Sequence, residues 1–351
     1  MAERKKVFIH IGAPKTGTTY LQQVLDQNRE AMKEAGVLYP RVHLDAHHTA
    51  VWDLRGTFED VKGGKNMAGH WDELVRQTAD WDGHTVVMSS EMFVYSDAEE
   101  ARRILGSFGD AEVHVIYGAR DLVRQIPAVW QEQVKNRRVM PYREFLDDVL
   151  GKRRRSMSQH FWTAQDAPAA LKRWSQGIAP QHVHVLTAPP SGSAPDLLWQ
   201  RFAGILGLDA AEYPSEISAA NTSLGVTSAE VLRRFNLRYG KDIPILRFRG
   251  KFLTQLMPAL TEAVEDRSKL PLSASQRRRI VELSEEIVKR LAAAGYDVVG
   301  SLGELVPQRP SRNDRKAGRG PDDLSEAEVI DALLDVLHHV MKNAPRRGSA
   351  S

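Results

Sequence analysis

The sequence predicts an α/β fold of three layers built on a central parallel sheet, and three observations predict it. Short apolar runs at residues 7–11, 85–89, 113–117 and 182–187 alternate with helical, charge-rich segments. These runs are apolar at successive positions, as in strands buried on both faces. Each run also ends in polar residues, namely 12–19, 89–91, Arg120 and Thr187. In parallel sheets ligands bind beyond the carboxyl ends of the strands, so these residues are expected along one edge.

The elements follow in order. Residues 7–11 form the first strand, and Gly12-Ala-Pro-Lys-Thr-Gly17 a tight loop. A helix starts at 17–19 and keeps Leu21, Val24 and Leu25 on one face, with Met32 further along and Gly36 as its stop. Residues 40–70 read as an irregular stretch, followed by a helix over 71–79. The second strand, 85–89, leads into Ser90-Glu91, and a helix over 98–106 precedes the third strand at 113–117. Helical material fills 121–177, and the fourth strand ends in Ala-Pro-Pro-Ser-Gly. Further helices are expected at 197–206, 229–239 and 275–294, the last leading into Gly295-Tyr-Asp-Val-Val-Gly300. Residues 307–323, with Pro307, Pro310, Gly318, Gly320 and Pro321 among charges, read as a flexible linker. A final amphipathic helix over 324–341 gathers Ile330, Leu333, Leu334, Leu337 and Met341 on one face. That face suits either packing back on the domain or docking to a second subunit in a homodimer. The expected organisation is a domain over 1–306, the linker over 307–323, and a C-terminal helix and tail over 324–351.

Composition narrows the function. The chain has 351 residues, 42% hydrophobic and 26% charged, which are globular values with room for an ample core. No run approaches the ~20 apolar residues of a membrane span, and Met-Ala-Glu-Arg-Lys-Lys lacks the apolar centre of a signal peptide. With no cysteine there are no disulfides, thiolate metal sites or cysteine nucleophiles, and a cytoplasmic enzyme is expected. The net charge of +3 is small, and the clusters at 152–155, 277–279 and 346–347 carry no aromatic stripe. Nucleic acid is therefore not an expected partner.

The loop after the first strand carries the chemistry. A strand, a Gly-bearing loop and a helix N-terminus direct backbone N–H groups and the positive end of a helix at one point. Lys15 and the hydroxyls of Thr16, Thr18 and Thr19 add charge and donors there. An ATP-type loop, G-x-x-x-x-G-K-[ST], has its lysine after the second glycine. Gly12 and Gly17 have that spacing, yet Thr18 follows Gly17 and the lysine sits inside the loop. A γ-phosphoryl transferase also wants an acidic magnesium ligand after a later strand; Glu91 qualifies by type and Arg120 does not. The loop suits a nucleotide with one 5′-phosphate-linked group, handled without a metal.

Pro14-Lys-Thr-Gly-Thr-Thr-Tyr20 resembles the 5′-phosphosulfate loop of sulfotransferases that use 3′-phosphoadenosine 5′-phosphosulfate (PAPS). Val113-His-Val-Ile-Tyr-Gly-Ala-Arg-Asp121 resembles their 3′-phosphate segment, a strand ending in arginine with a serine eight residues on. Arg120 fits, whereas the eighth position is Ala128, a departure for which Arg124 or Gln125 could substitute as donors. The close of the domain, 295–305, is similar to that of bacterial sulfotransferase-like proteins. The resemblance covers roughly 5–306 and implies a P-loop NTPase-like sulfotransferase fold, PAPS as donor, and 3′-phosphoadenosine 5′-phosphate as product. It implies binding by Pro14, Lys15, Thr16, Gly17, Thr18, Thr19, Tyr20, Arg120, Arg124 and the Ala128 position, with Lys15 at the leaving oxygen. Tyr20 reads equally as an adenine-stacking or a core residue.

The acceptor must lose a proton, and Glu91 is the first candidate for the base, since it follows the second strand at the expected edge. An ion pair with Arg120 or Arg124 is its structural alternative. His48 and His47, in Asp45-Ala-His-His-Thr-Ala-Val-Trp-Asp53, are the next candidates. A metal set of His43, His47 and His48 is discounted because the H-x-x-x-H spacing lacks the zinc-protease glutamate. The resulting expectation is sulfuryl transfer to a hydroxyl or amine of a small-molecule, lipid or carbohydrate acceptor, with no metal required. A non-catalytic nucleotide-binding relative is the alternative that Ala128 sustains; a P-loop kinase is disfavoured by Thr18.

Overall fold

The computed structural model describes residues 4–42, 46–56, 67–151, 156–217, 223–244, 247–248, 250, 255–310 and 318–343. The expected basic clusters at 152–155 and 346–347, and His43, lie outside these residues. Within them the strands are β1 (Lys6–His10), β2 (Val37–Leu38), β3 (Thr85–Ser89), β4 (Glu112–Ala119), β5 (Val183–Thr187) and β6 (Asp297–Val299). They form a six-stranded sheet in the order β2-β3-β1-β4-β5-β6, parallel throughout.

The helices are α1 (Thr18–Gln27), α2 (Arg29–Glu34), α3 (Ala46–Arg55), α4 (His70–Ala79) and α5 (Ala98–Leu105). Next come α6 (Leu122–Lys135), α7 (Tyr142–Leu150), α8 (Ser156–Gln165), α9 (Ala167–Trp174) and α10 (Leu197–Leu206). The last are α11 (Val226–Tyr239), α12 (Met257–Glu262), α13 (Ala274–Ala293) and α14 (Glu326–Lys342).

The chain divides into two compact units, the first comprising Met1–Gln125, Gln159–Ala219 and Ile280–Gln308. It contains the whole sheet. Alternate strand residues enter two separate cores, which makes three layers. Val7, Ile9, Val86, Met88, Val115, Tyr117, Val183 and Val185 meet Leu74, Phe93, Ile104, Leu171, Trp174 and Leu291 on one face. Phe8, Val37, Val87, Ile116 and Leu186 meet Leu21, Val24, Leu25, Trp199 and Phe202 on the other. Both faces are covered, which is why apolar residues appear on both sides of the strands and not only at alternate positions. Asp97 caps α5 by accepting from the Glu99 and Glu100 N–H groups.

The second unit comprises Ile126–Ser158, Ala220–Arg279 and Arg309–Ser351 and is helical among its described residues. There α14 packs on α11 and α12. It turns Val329, Ala332 and Val336 inward, while Ile330, Leu333, Leu334, Leu337 and Met341 stay exposed. The apolar stripe seen in the sequence is therefore the outer face of the helix. Ser325 and Glu328 close its N-terminus with a reciprocal capping box. Just before it, Pro321 is buried, and Asp322 and Asp323 bond Arg143.

Two local expectations are corrected. The first helix ends at Gln27, because Asn28 turns its amide back onto the Val24 carbonyl and also holds the Pro214 carbonyl. Met32 and the Gly36 stop belong to α2, and Gly36 adopts the left-handed φ of 81° that favours glycine. The stretch 40–70 contains a regular helix, α3, in its described part. Its polar residues concealed it: Asp53 caps α4 through the Trp71 N–H, and His47 is buried.

Ile9 is fully buried on the central strand. Ile9→Ala is expected to destabilise the protein by about 2–5 kcal/mol, seen as a lower denaturation midpoint in urea.

Candidate functional site

The loop between β1 and α1 is seated between the carboxyl ends of β3 and β4, the two neighbours of β1. On the β4 side the Ala13 N–H donates to the Gly118 carbonyl at 3.0 Å, and the Gly118 N–H donates to the Gly12 carbonyl. A Cβ on Gly118 would lie 2.6 Å from the Thr16 hydroxyl, so only glycine lets the loop approach this strand. On the β3 side a Cβ on Gly12 would stand 3.1 Å from the Glu91 Cα. Lys15 and Gly17 both take left-handed φ, 69° and 99°.

Side chains hold the loop carbonyls. Thr16 Oγ1 donates to Ala13 O at 2.6 Å, Gln125 Nε2 to Pro14 O at 2.5 Å, and Arg120 Nη1 to Lys15 O at 3.0 Å. Gln165 Nε2 adds a longer bond to Pro14 O at 3.4 Å. Turning carbonyls into bonds of this kind is what an anion site needs, since their oxygens would repel a phosphate. α1 begins at Thr18 with no side-chain cap on Gly17, and the first N–H groups of any helix lack intrahelical partners.

The structure brings Lys15, Thr16, Gly17, Thr18, Thr19, Glu91 and Arg120 together around this one loop. Thr16 and Thr18 are buried, whereas Thr19 is exposed. Arg120 is depressed below the usual arginine range by burial and by the neighbouring Arg124 cation, against the pull of Asp121. Arg124 itself is engaged: it pairs with Asp121 through Nε and donates to the Pro189 carbonyl at 2.8 Å, tying α6 to the end of β5. Gln125 is likewise committed to the loop. Ala128 lies on α6 in the second unit and brings no side-chain donor. Tyr20 is partly buried against the α1–α10 core and bonds Ser215, so its hydroxyl is anchored locally.

Glu91 accepts from Gln22 Nε2 at 3.1 Å, and the same amide reaches Ser89 Oγ at 3.3 Å. Among the described residues, no ion pair of Glu91 with Arg120 or Arg124 forms. His47 is buried and fully used: Nε2 lies 2.8 Å from the Pro40 carbonyl, and Nδ1 accepts the Ser89 N–H at 3.0 Å. These partners fix its neutral Nε2–H tautomer. His48 is half-buried, with Nδ1 3.3 Å from Ser90 Oγ. Beside the loop a cavity of about 340 Å³ is lined by Thr19, Gln22, Gln23, Asp26, Arg41 and His48, among others. It opens from the α1 face onto the ends of β2 and β3.

Sequence reasoning missed the buried polar neighbours of Ser89. His10, on β1, bonds Ser89 Oγ at 2.8 Å through Nδ1 and packs edge-on against Phe202. It also missed the loop role of Gly118, although a glycine inside a central strand signals close backbone approach. The pinning by Gln165 had no local signal.

No family model matches the chain, and no curated protein matches it. In fold the chain is similar to a sulfotransferase from Alicyclobacillus acidocaldarius, at 15% identity over 85% of this chain and 98% of that one, with a TM-score of 0.46. It is also similar to the sulfotransferase domain from the curacin biosynthetic pathway, at 13% identity over 58% of this chain and 74% of that one, with a TM-score of 0.34. No described helix is long and apolar enough to cross a membrane.

Burial lowers both His10 and His47 from 6.5 to about 4; Glu91 partly offsets this for His10, and the Pro40 and Ser89 backbone bonds do so for His47. The unfolded chain therefore takes up protons that the folded chain refuses. Their contribution is complete above pH about 6.5 and is lost as pH falls towards about 4, at about 1.4 kcal/mol per pH unit for each group. His47→Gln is expected to reduce the stability lost between pH 7 and 5 by about 2 kcal/mol, measured by urea denaturation at the two pH values.

Proposed function

We propose that the protein is a cytoplasmic sulfotransferase that moves a sulfuryl group from PAPS to a hydroxyl or amine of a small-molecule, lipid or carbohydrate acceptor. The observation that carries this reading is the position of Lys15. It lies inside the loop, in a left-handed turn whose carbonyl is held by Arg120, with Glu91 on the opposite flank. A lysine there serves a single 5′-phosphate and its leaving oxygen, not a β,γ-phosphate pair.

In this reading the 5′-phosphate accepts from the backbone N–H groups of Thr16, Gly17, Thr18 and Thr19 and from the Thr18 and Thr19 hydroxyls. Lys15 neutralises charge that builds on the bridging oxygen as the sulfur–oxygen bond breaks. Arg120 takes the 3′-phosphate through donors other than the one on Lys15. Glu91 removes the acceptor proton, held in position by Gln22; His48 is the other candidate, since it lines the cavity that would receive the acceptor. His47, with both ring nitrogens committed, supports this wall instead. No metal enters the transfer.

A second reading, a nucleotide-binding relative without turnover, is favoured by Ala128, where a hydroxyl donor to the 3′-phosphate is missing. Calorimetry with 3′-phosphoadenosine 5′-phosphate addresses both. Binding should weaken by roughly 10- to 100-fold in Lys15→Ala, matching about 1.5–3 kcal/mol for a charged hydrogen bond. Absence of binding to the intact protein would sink both readings. Glu91→Gln should leave binding unchanged and abolish transfer of labelled sulfate; full activity would move the base to His48.

For the outer face of α14 we infer a second copy of this chain as the occupant. Ile330, Leu333, Leu334, Leu337 and Met341 recur at three- and four-residue spacing, the pattern of a helix-pairing seam. Glu326, Asp331 and Asp335 place negative charge along its first part, and Lys342 places positive charge at its end. Two such helices set antiparallel would match acidic with basic ends. The double variant Leu334→Glu, Leu337→Glu should elute as a monomer with nucleotide affinity unchanged; a monomeric wild-type protein at micromolar concentration would refute the pairing.

A further inference from the structure

At the edge of the sheet opposite the phosphate loop, β4, β5 and β6 begin side by side and contribute a linked set of histidines and carboxylates. Glu112 opens β4 with His114 two residues on; His182 directly precedes β5, which carries His184; Asp297 opens β6. Glu112 Oε1 lies 2.9 Å from His114 Nε2, His114 Nδ1 lies 2.9 Å from His184 Nε2, and His184 Nδ1 lies 2.7 Å from Asp297 Oδ2. His182 turns its Nε2 towards the same Glu112 oxygen at 3.8 Å, beyond hydrogen bonding, with its ring against that of His114.

This row is one proton short. Three contacts join two carboxylates through two imidazoles, and each contact needs one N–H. Two neutral imidazoles supply only two. If His184 gives its Nδ1–H to Asp297, its Nε2 must accept the Nδ1–H of His114. That leaves His114 Nε2 as a bare lone pair facing a carboxylate oxygen. Reversing the tautomers only moves the same conflict to His184 and Asp297. One more positive charge belongs in the row, and the third imidazole marks where it goes. The donor atoms of Glu112, His114 and His182 all lie within 4.8 Å of one another.

We propose that Glu112, His114 and His182 bind one divalent transition-metal ion, zinc by donor type, with His184 and Asp297 behind His114 as its outer support. Two imidazole nitrogens and one carboxylate oxygen, with a water in the fourth place, form a set that zinc accepts. The backing is of the kind metal-bound histidines use, in which the far ring N–H is held by a chain ending in a carboxylate. Phe8, its ring centroid 4.5 Å from that of His114, forms an apolar floor under the site. His182 is half-buried at the rim and is the ligand able to adjust as the ion seats. The ion would tie β4 to the lead-in of β5 directly, and to β6 through its support. It stands apart from the transfer chemistry and independent of it.

The test uses the full-length protein stripped with a chelator, then titrated with zinc chloride by calorimetry and with cobalt chloride by visible absorption. One ion per chain is expected, with intense low-symmetry cobalt bands and a higher melting temperature in zinc. His182→Ala and Glu112→Gln, both at the half-exposed rim, should fold by circular dichroism yet lose more than tenfold in affinity. Asp297→Asn should lose roughly 10- to 100-fold, as outer support does elsewhere. Binding of 3′-phosphoadenosine 5′-phosphate should be unchanged in all three. Absence of stoichiometric binding would overturn the site, as would undiminished affinity in both rim variants. So would an imidazolium at His114 seen by nitrogen-15 NMR at neutral pH with zinc present.

Discussion

The site depends on the backbone approach between the β1–α1 loop and Gly118 of β4. Gly118 exchanges backbone bonds with Gly12 and Ala13 because no Cβ separates the two segments. That contact continues the sheet's hydrogen bonding beyond its last regular residue and presses the loop against a central strand. The geometry of the loop follows. With the loop so fixed, Thr16, Gln125 and Arg120 reach its carbonyls, and α1 starts where its N–H groups converge. A methyl group at position 118 would displace Thr16, and with it the bond that shapes the turn.

Beside this contact runs a line of buried polar groups centred on Ser89. Leaving a buried polar atom unpaired costs about 1–3 kcal/mol, more than a typical hydrogen bond contributes. The balance is therefore favourable only because the partners are shared. Ser89 receives His10 on its hydroxyl, presents its N–H to His47, and lies within reach of Gln22, which also holds Glu91. His10 Nε2 has no partner among the described residues, so this wall is tuned and not fully satisfied. Glu91 is held by Gln22 and pairs with neither arginine among the described residues; Arg124 bonds Asp121, and Arg120 bonds the Lys15 carbonyl.

The sheet was largely legible because its strands are buried on both faces, and a short continuous apolar run between turn residues fits little else. Residues 85–89 match β3 to the residue, and 197–206 match α10. What escaped was short or unamphipathic. β2 has two residues and β6 three, too few for any period to register. In α3, polar residues turn inward to cap and brace neighbours, so its pattern resembles a loop. The loop between β1 and α1 was legible because its glycine spacing is set by local backbone geometry. Its supports were not, since Gln125 and Gln165 act across more than a hundred residues. The stripe on α14 shows in the sequence as one face, but its direction does not. Val329, Ala332 and Val336 make a second apolar stripe, and propensity does not say which stripe meets the domain.

The two ends of the sheet have opposite electrostatic characters, and parallel topology is the reason. At the carboxyl ends the chain enters a helix, whose N–H groups and positive dipole favour anions. At the amino ends the preceding helices and turns finish, and their C-terminal dipole ends are negative. Glu112 and Asp297 give this end negative charge, and the pairing of β4 with β5 and of β5 with β6 places His114, His184 and Asp297 in one row. A row that ends in two carboxylates and contains one proton too few attracts a cation for the same reason that uncapped N–H groups attract a phosphate. On both proposals the fold would provide for ligands of either charge without one site depending on the other.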